Sequence, residues 1–190
     1  MSVVPKKRIS PKEYLKFERA SEEKHEYLNG HVFAMSGAKR NHNKLVANLS
    51  GLLWQDLKSK DCEFYPNDMR VFVPKTGLYT YPDLVVVCGE PKFQDTIPDT
   101  LLNPVLLIEV LSDSTEGYDR GKKFQHYRSI ESLSEYLLVS QNEARVEKYL
   151  RQGDDFWVLS EAVGLESAIG LESIECGLDL KEIFEKVIIS

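Results

Sequence analysis

The 190-residue chain lacks long apolar runs, clustered cysteines and glycine-rich nucleotide loops. No stretch of 18 or more apolar residues occurs, so no transmembrane helix is expected. The opening MSVVPKKRIS has basic residues with no apolar segment behind them, so it is not expected to act as a secretory signal. Cys62, Cys88 and Cys176 are scattered and odd in number. Without a CxxC pair or a Cys/His cluster, neither a disulfide framework nor a zinc knuckle is expected, and a reducing cytoplasm is the natural compartment. No Gly-rich turn follows a first strand, and P-loops and Gly-x-Ser elbows are missing. A dinucleotide fold and a serine nucleophile are therefore set aside. Positive charge is also short: 24 Lys and Arg stand against 30 Asp and Glu, for a net charge of -6. A generic nucleic-acid coat would be basic overall. A metal-dependent nuclease is not excluded, because it needs a local acidic cluster and its basic groove can be small.

What is present fits one domain, residues 1–190, with a full hydrophobic core and a loose arm over residues 1–9. Ser10-Pro11-Lys12-Glu13 is a capping box with proline at the first helical position, and predicts a helix from Pro11 to about Ala20. Asn29-Gly30 between strand-like runs predicts a hairpin, with Glu26 on the first strand and Val32, Phe33 and Met35 on the second. Leucines at helical spacing predict a long amphipathic helix over 41–59. CEFYP, MRVFVP, DLVVVC and PVLLIEVL read as strands, the last two buried on both faces. YDRGKKFQHYRSI reads as a helix; EYLLVS, ARVEKYLR and FWVLSEA as further strands; 178–187 as a closing helix. The order implies an α/β or α+β fold, a mixed sheet flanked by helices.

Two carboxylates stand where a buried strand does not want them. Asp83 opens LVVVC, and Glu109 lies inside PVLLIEVL. A charge in a buried strand is costly unless it is paired or bound to metal. Adjacent strands lie about 4.8 Å apart, so both carboxylates can reach one divalent ion. The competing explanation makes Asp83 a turn cap after Pro82 and pairs Glu109 with a basic side chain.

Tyr81-Pro82-Asp83, followed by Ile108-Glu109-Val110-Leu111-Ser112, resembles the PD-(D/E)XK nuclease signature. More closely, the chain resembles the restriction endonuclease family of the Uma type. The shared order is Glu26 with Asn29-Gly30, His42, Asp68 to Val71, Tyr81 to Asp83, Glu109 to Thr115, Asp119 to Lys123 and Glu135 to Val139. The resemblance implies a restriction-endonuclease-like core and a Mg2+ or Mn2+ site on Asp83 and Glu109, completed by the carbonyl of Val110. It implies hydrolysis of DNA phosphodiester bonds. Leu111 stands where the superfamily pattern has lysine, and the resemblance moves that role to Lys123 on the following helix, with Lys122 at a more variable position. It also brings Glu26 near the metal. Lys123 would orient water or offset phosphorane charge. His42 is assigned to the start of its helix, and His25, His31 and His126 to structure. Arg70 and Arg120 are open between phosphate contact and balancing the acidic site. A homodimer suits an enzyme that cuts two strands. Two alternatives stay open: a catalytically silent relative that binds nucleic acid or a protein partner, and an unrelated hydrolase or structural protein on the same fold.

Overall fold

The computed structural model describes residues 8–153 and 156–189. Helix α1 (Pro11–Glu18) starts on the capping box: Ser10 accepts from the Glu13 amide while Glu13 reaches back to the Ser10 amide. Strands β1 (His25–Leu28) and β2 (His31–Ala34) form the hairpin. Its turn has Asn29 at φ 50° and Gly30 at φ 89°, the positive pair that a type I′ turn demands. Met35 falls just beyond β2. Most of the proposed loose arm, residues 1–7, lies outside the described residues. Ile9 is not loose, since its amide donates to Gly30 and its carbonyl accepts from Tyr27.

Helix α2 (Arg40–Leu57) buries Leu45, Leu49, Leu53 and Leu57. Then come β3 (Cys62–Pro66), β4 (Arg70–Val73), β5 (Leu78–Thr80), β6 (Leu84–Cys88), the two-residue β7 (Thr100–Leu101) and β8 (Leu106–Val110). The segment read as one helix is broken into three: α3 (Glu116–Tyr118), a π-helix (Asp119–Lys123) and α4 (Phe124–Tyr127). Strands β9 (Glu135–Val139), β10 (Arg145–Gln152) and β11 (Phe156–Val163) follow. The tail holds the hairpin of β12 (Ala168–Leu171) and β13 (Cys176–Asp179) before α5 (Leu180–Ile183). Sequence patterning missed β5 and this hairpin because each is short and sits in a glycine-bearing stretch.

The fold is α+β. A six-stranded sheet runs β11-β10-β9-β8-β6-β3, and a five-stranded sheet runs β2-β1-β5-β4-β7. In the larger sheet β8 and β9 are parallel, while β8 and β6 are antiparallel. Alternate side chains of β6, β8 and β9 feed two cores. Leu84, Val86, Ile108 and Leu137 meet α2 and α5. Val85, Val87, Leu107 and Leu138 meet β4 and β5 of the smaller sheet, with Tyr127 and Leu133. This second core places one face of β8, including Glu109, between the two sheets.

One expectation is overturned. Cys62 and Cys88 form a disulfide, because β3 and β6 pair with these two residues directly opposite. Scatter along the chain says nothing about register across a ladder. The bond closes a separation of 26 residues, worth about 3.5 kcal/mol by chain entropy. Cys62→Ser should therefore lower stability by about that amount in non-reducing buffer, and by little when reductant is present. If denaturation curves show no reductant-dependent difference between variant and parent, the thiols stay free.

Candidate active site

Glu109 is buried on β8 and shares one polar cluster with Lys123, Glu26, Asp119 and Tyr127. The ammonium of Lys123 lies 2.8 Å from Glu109 Oε1, 3.4 Å from Asp119 Oδ1 and 3.5 Å from Glu26 Oε1. Tyr127 donates to the same Glu109 oxygen at 2.8 Å, and Thr80 donates to Glu26 at 2.5 Å. The cluster thus draws on β1, β5, β8 and the π-helical segment with α4.

The π-helix explains how Asp119, Lys123 and Tyr127 come to face inward together. Residues four apart on an α-helix drift by about 40° at each step, so a three-member stripe would swing away from the sheet. The wider π turn offsets that drift, and such turns are frequent at functional sites. Lys123 is buried on this stripe while Lys122 is exposed.

Asp83 stands beside the cluster. Leu84 pairs with Ile108, and continuing that register by one position sets Asp83 across from Glu109. Asp83 Oδ2 accepts the Val110 amide at 2.8 Å, and His42 Nε2 lies 2.9 Å from Asp83 Oδ1. So the structure brings Glu26, Glu109 and Lys123 into direct contact and sets Asp83 and Val110 next to them. Arg70 and Arg120 lie elsewhere. Arg70 is buried between Tyr81, Thr100 and Asp99, and Arg120 pairs with Glu147 and Glu116. Tyr127 and Thr80 were missing from the expected site, while Asp119 and His42 stood in the family order without a role at the acidic cluster. The repeated spacing of four from Asp119 to Lys123 to Tyr127 was a usable signal. Nothing in the chain order marks Thr80.

The electrostatics follow from the count. Three carboxylates surround one ammonium, so the buried site carries surplus negative charge. Burial, partly offset by Lys123, pushes Glu109 up to about 8, with Asp119 and Asp83 adding to the rise. Burial also raises Asp119. For Lys123 burial acts downward, but Glu109, Tyr127, Glu26 and Asp119 outweigh it and hold the lysine well above its usual range. Among the described residues no group of three His, Cys, Asp or Glu side chains forms a ready metal cage. A magnesium-class ion does not need one, since it keeps several waters and takes one or two carboxylates. Hard oxygen donors and unbalanced negative charge both fit such a cation.

Comparisons with known proteins agree on kinship. A family model, Uma2, described as "Putative restriction endonuclease", matches residues 11–181. "Uncharacterized protein sll1609" of Synechocystis sp. is 40% identical over 169 residues, covering 89% of this chain and 96% of that protein. "Uncharacterized protein slr1290" of the same organism is 38% identical over 155 residues, covering 82% of this chain and 80% of that protein. The crystal structure titled as a putative nuclease belonging to DUF820, from Anabaena variabilis, superposes with a TM-score of 0.76 at 18% identity. That match covers 95% of this chain and 99% of the other, and at this identity it speaks to the fold.

Proposed function

Because the chain belongs to the Uma2 family, we propose that it is a metal-dependent endonuclease hydrolysing DNA phosphodiester bonds. The observation that carries this reading is the buried cluster of Glu109, Glu26, Asp119 and Lys123 beside Asp83. A hydrophobic layer does not keep three carboxylates around one cation for stability alone, since buried ion clusters rarely stabilise a fold.

In this reading Asp83 and Glu109 would hold Mg2+ or Mn2+, with the Val110 carbonyl as a third donor. The ion supplies Lewis acidity and a more acidic bound water. The protein's own groups do the rest. Lys123 sets a fixed positive charge where negative charge grows on the phosphorane, at no cost of reorganisation. Asp119 and Glu26 hold the ammonium of Lys123 in place. Tyr127 orients Glu109 through its hydroxyl, and His42 and the Val110 amide fix the rotamer of Asp83. We read the chain as one nuclease-like domain.

The test joins cleavage to metal binding. Plasmid and single-stranded DNA are incubated with Mg2+, Mn2+, Ca2+ or EDTA, and Mg2+ is titrated by calorimetry in buffers of different ionisation heat. Cleavage is expected with Mg2+ or Mn2+ and not with EDTA. Binding is expected to release about one proton to the buffer below pH 8, because the ion displaces the proton that Glu109 holds there. A folded protein that neither binds Mg2+ nor cuts would leave the silent binding protein as the reading to pursue.

A further inference from the structure

Phe33 sits directly across the β1–β2 ladder from Glu26. Directly opposed residues share a face, with Cβ atoms about 5 Å apart, so the Phe33 ring emerges beside the cluster. His31 lies on the same face two residues earlier, its ring 6.4 Å from that of Phe33. Both are half-buried, and Phe33 belongs to none of the three apolar cores among the described residues. Strand β2 is the outer strand of its sheet, paired with β1 alone among the described residues. Tyr118, immediately before Asp119, is likewise half-buried and outside those cores. Burial and then the charge of Glu26 push its hydroxyl up to about 12.

Aromatic side chains that join no core, at the rim of a charged site, need another role. We propose that Phe33, with His31 and Tyr118, forms a stacking seat for an unpaired base beside the carboxylate–lysine cluster, and that the substrate is single-stranded DNA. This rests on the endonuclease reading above and adds the strand state. Stacking supplies affinity for a single strand because every unpaired base offers a π face. In a duplex that face is already covered by neighbouring bases. Exposed Lys39 and Arg40 follow β2 in the chain, enough for a short backbone track.

The experiment measures binding apart from cleavage. A fluorescein-labelled oligothymidylate and a blunt duplex of equal length are titrated by anisotropy with Ca2+ in place of Mg2+. The single strand is expected to bind at least tenfold more tightly. Phe33→Leu keeps bulk and apolarity but removes the π face, and should weaken single-strand binding about tenfold with an unchanged melting point. Phe33→Trp should retain binding, and a second substitution, Tyr118→Leu, should weaken it in the same sense. Duplex binding equal to single-strand binding would overturn the proposal, as would a Phe33→Leu protein that binds like its parent. Cleavage in Mg2+ is scored separately. Stacking without cleavage removes the nuclease reading, and cleavage unaffected at Phe33 removes the seat.

Discussion

Lys123→Ala is expected to reduce DNA cleavage by about a thousandfold, the scale of removing a preorganised charge from a transition state. Lys122→Ala should leave it within about twofold. The two lysines are neighbours in sequence, but Lys123 is buried 2.8 Å from Glu109 while Lys122 is exposed. The loss has a second component. Removing Lys123 leaves Glu109, Glu26 and Asp119 buried around a missing cation. Breaking a buried ion cluster by deleting one partner costs about 3–5 kcal/mol. The orphaned carboxylates relieve that cost by taking up protons, so the destabilisation of Lys123→Ala should be small in acid and grow as pH rises. Thermal melts of both variants across pH 5 to 9, beside nicking assays at each pH, read the two components separately. A Lys123→Ala protein that melts like its parent at pH 9 would show that the ammonium is not what balances the cluster.

Glu109→Gln separates function from stability in the opposite sense. Cleavage and Mg2+ binding should fall by two to three orders of magnitude or more, because a neutral amide replaces a metal ligand. Stability should not fall with it. The folded-state value of Glu109 is about 8, above its ordinary 4.5. The native state therefore holds a proton that the unfolded chain has lost across that window. This group's contribution is complete below about 4.5 and is lost as pH rises through about 8. Glutamine cannot deprotonate, so the melting point of the variant relative to the parent should improve as pH rises from 5 to 8. The Tyr127 hydroxyl, which donates to Glu109 Oε1, keeps an acceptor in the amide. Asp83 is a less clean target: it accepts the Val110 amide, so Asp83→Ala strands a backbone donor at about 1–3 kcal/mol. Asp83→Asn retains an acceptor and is the better probe. A Glu109→Gln protein that still binds Mg2+ as tightly as its parent would take Glu109 out of the metal site.

The local elements were legible because their causes are local. The Ser10–Glu13 box and the Asn29-Gly30 turn act through neighbouring backbone groups, and both stand where the residues predict them. The run LVVVC and the run LLIEV are apolar on both faces because cores lie on both sides of the sheet. Glu109 stood out for the same reason: a charge inside such a run needs a partner. Lys123 and Glu26 entered the sequence reading through family resemblance, and the spacing of four from Asp119 to Lys123 to Tyr127 separates Lys123 from Lys122.

Sequence by itself determined a mixed sheet flanked by helices, the main strands and the two carboxylates out of place. Tertiary structure decided which charges meet. The disulfide between Cys62 and Cys88 depends on the register of β3 against β6, and register is a property of two strands rather than one. The inward stripe of Asp119, Lys123 and Tyr127 depends on a π turn that simple helical periodicity does not anticipate. Thr80 and Glu26 meet across 54 residues only because β5 pairs with β1. Arg70 was drawn away from the acidic cluster by Tyr81 and Asp99, a competition among buried partners settled by distance in space.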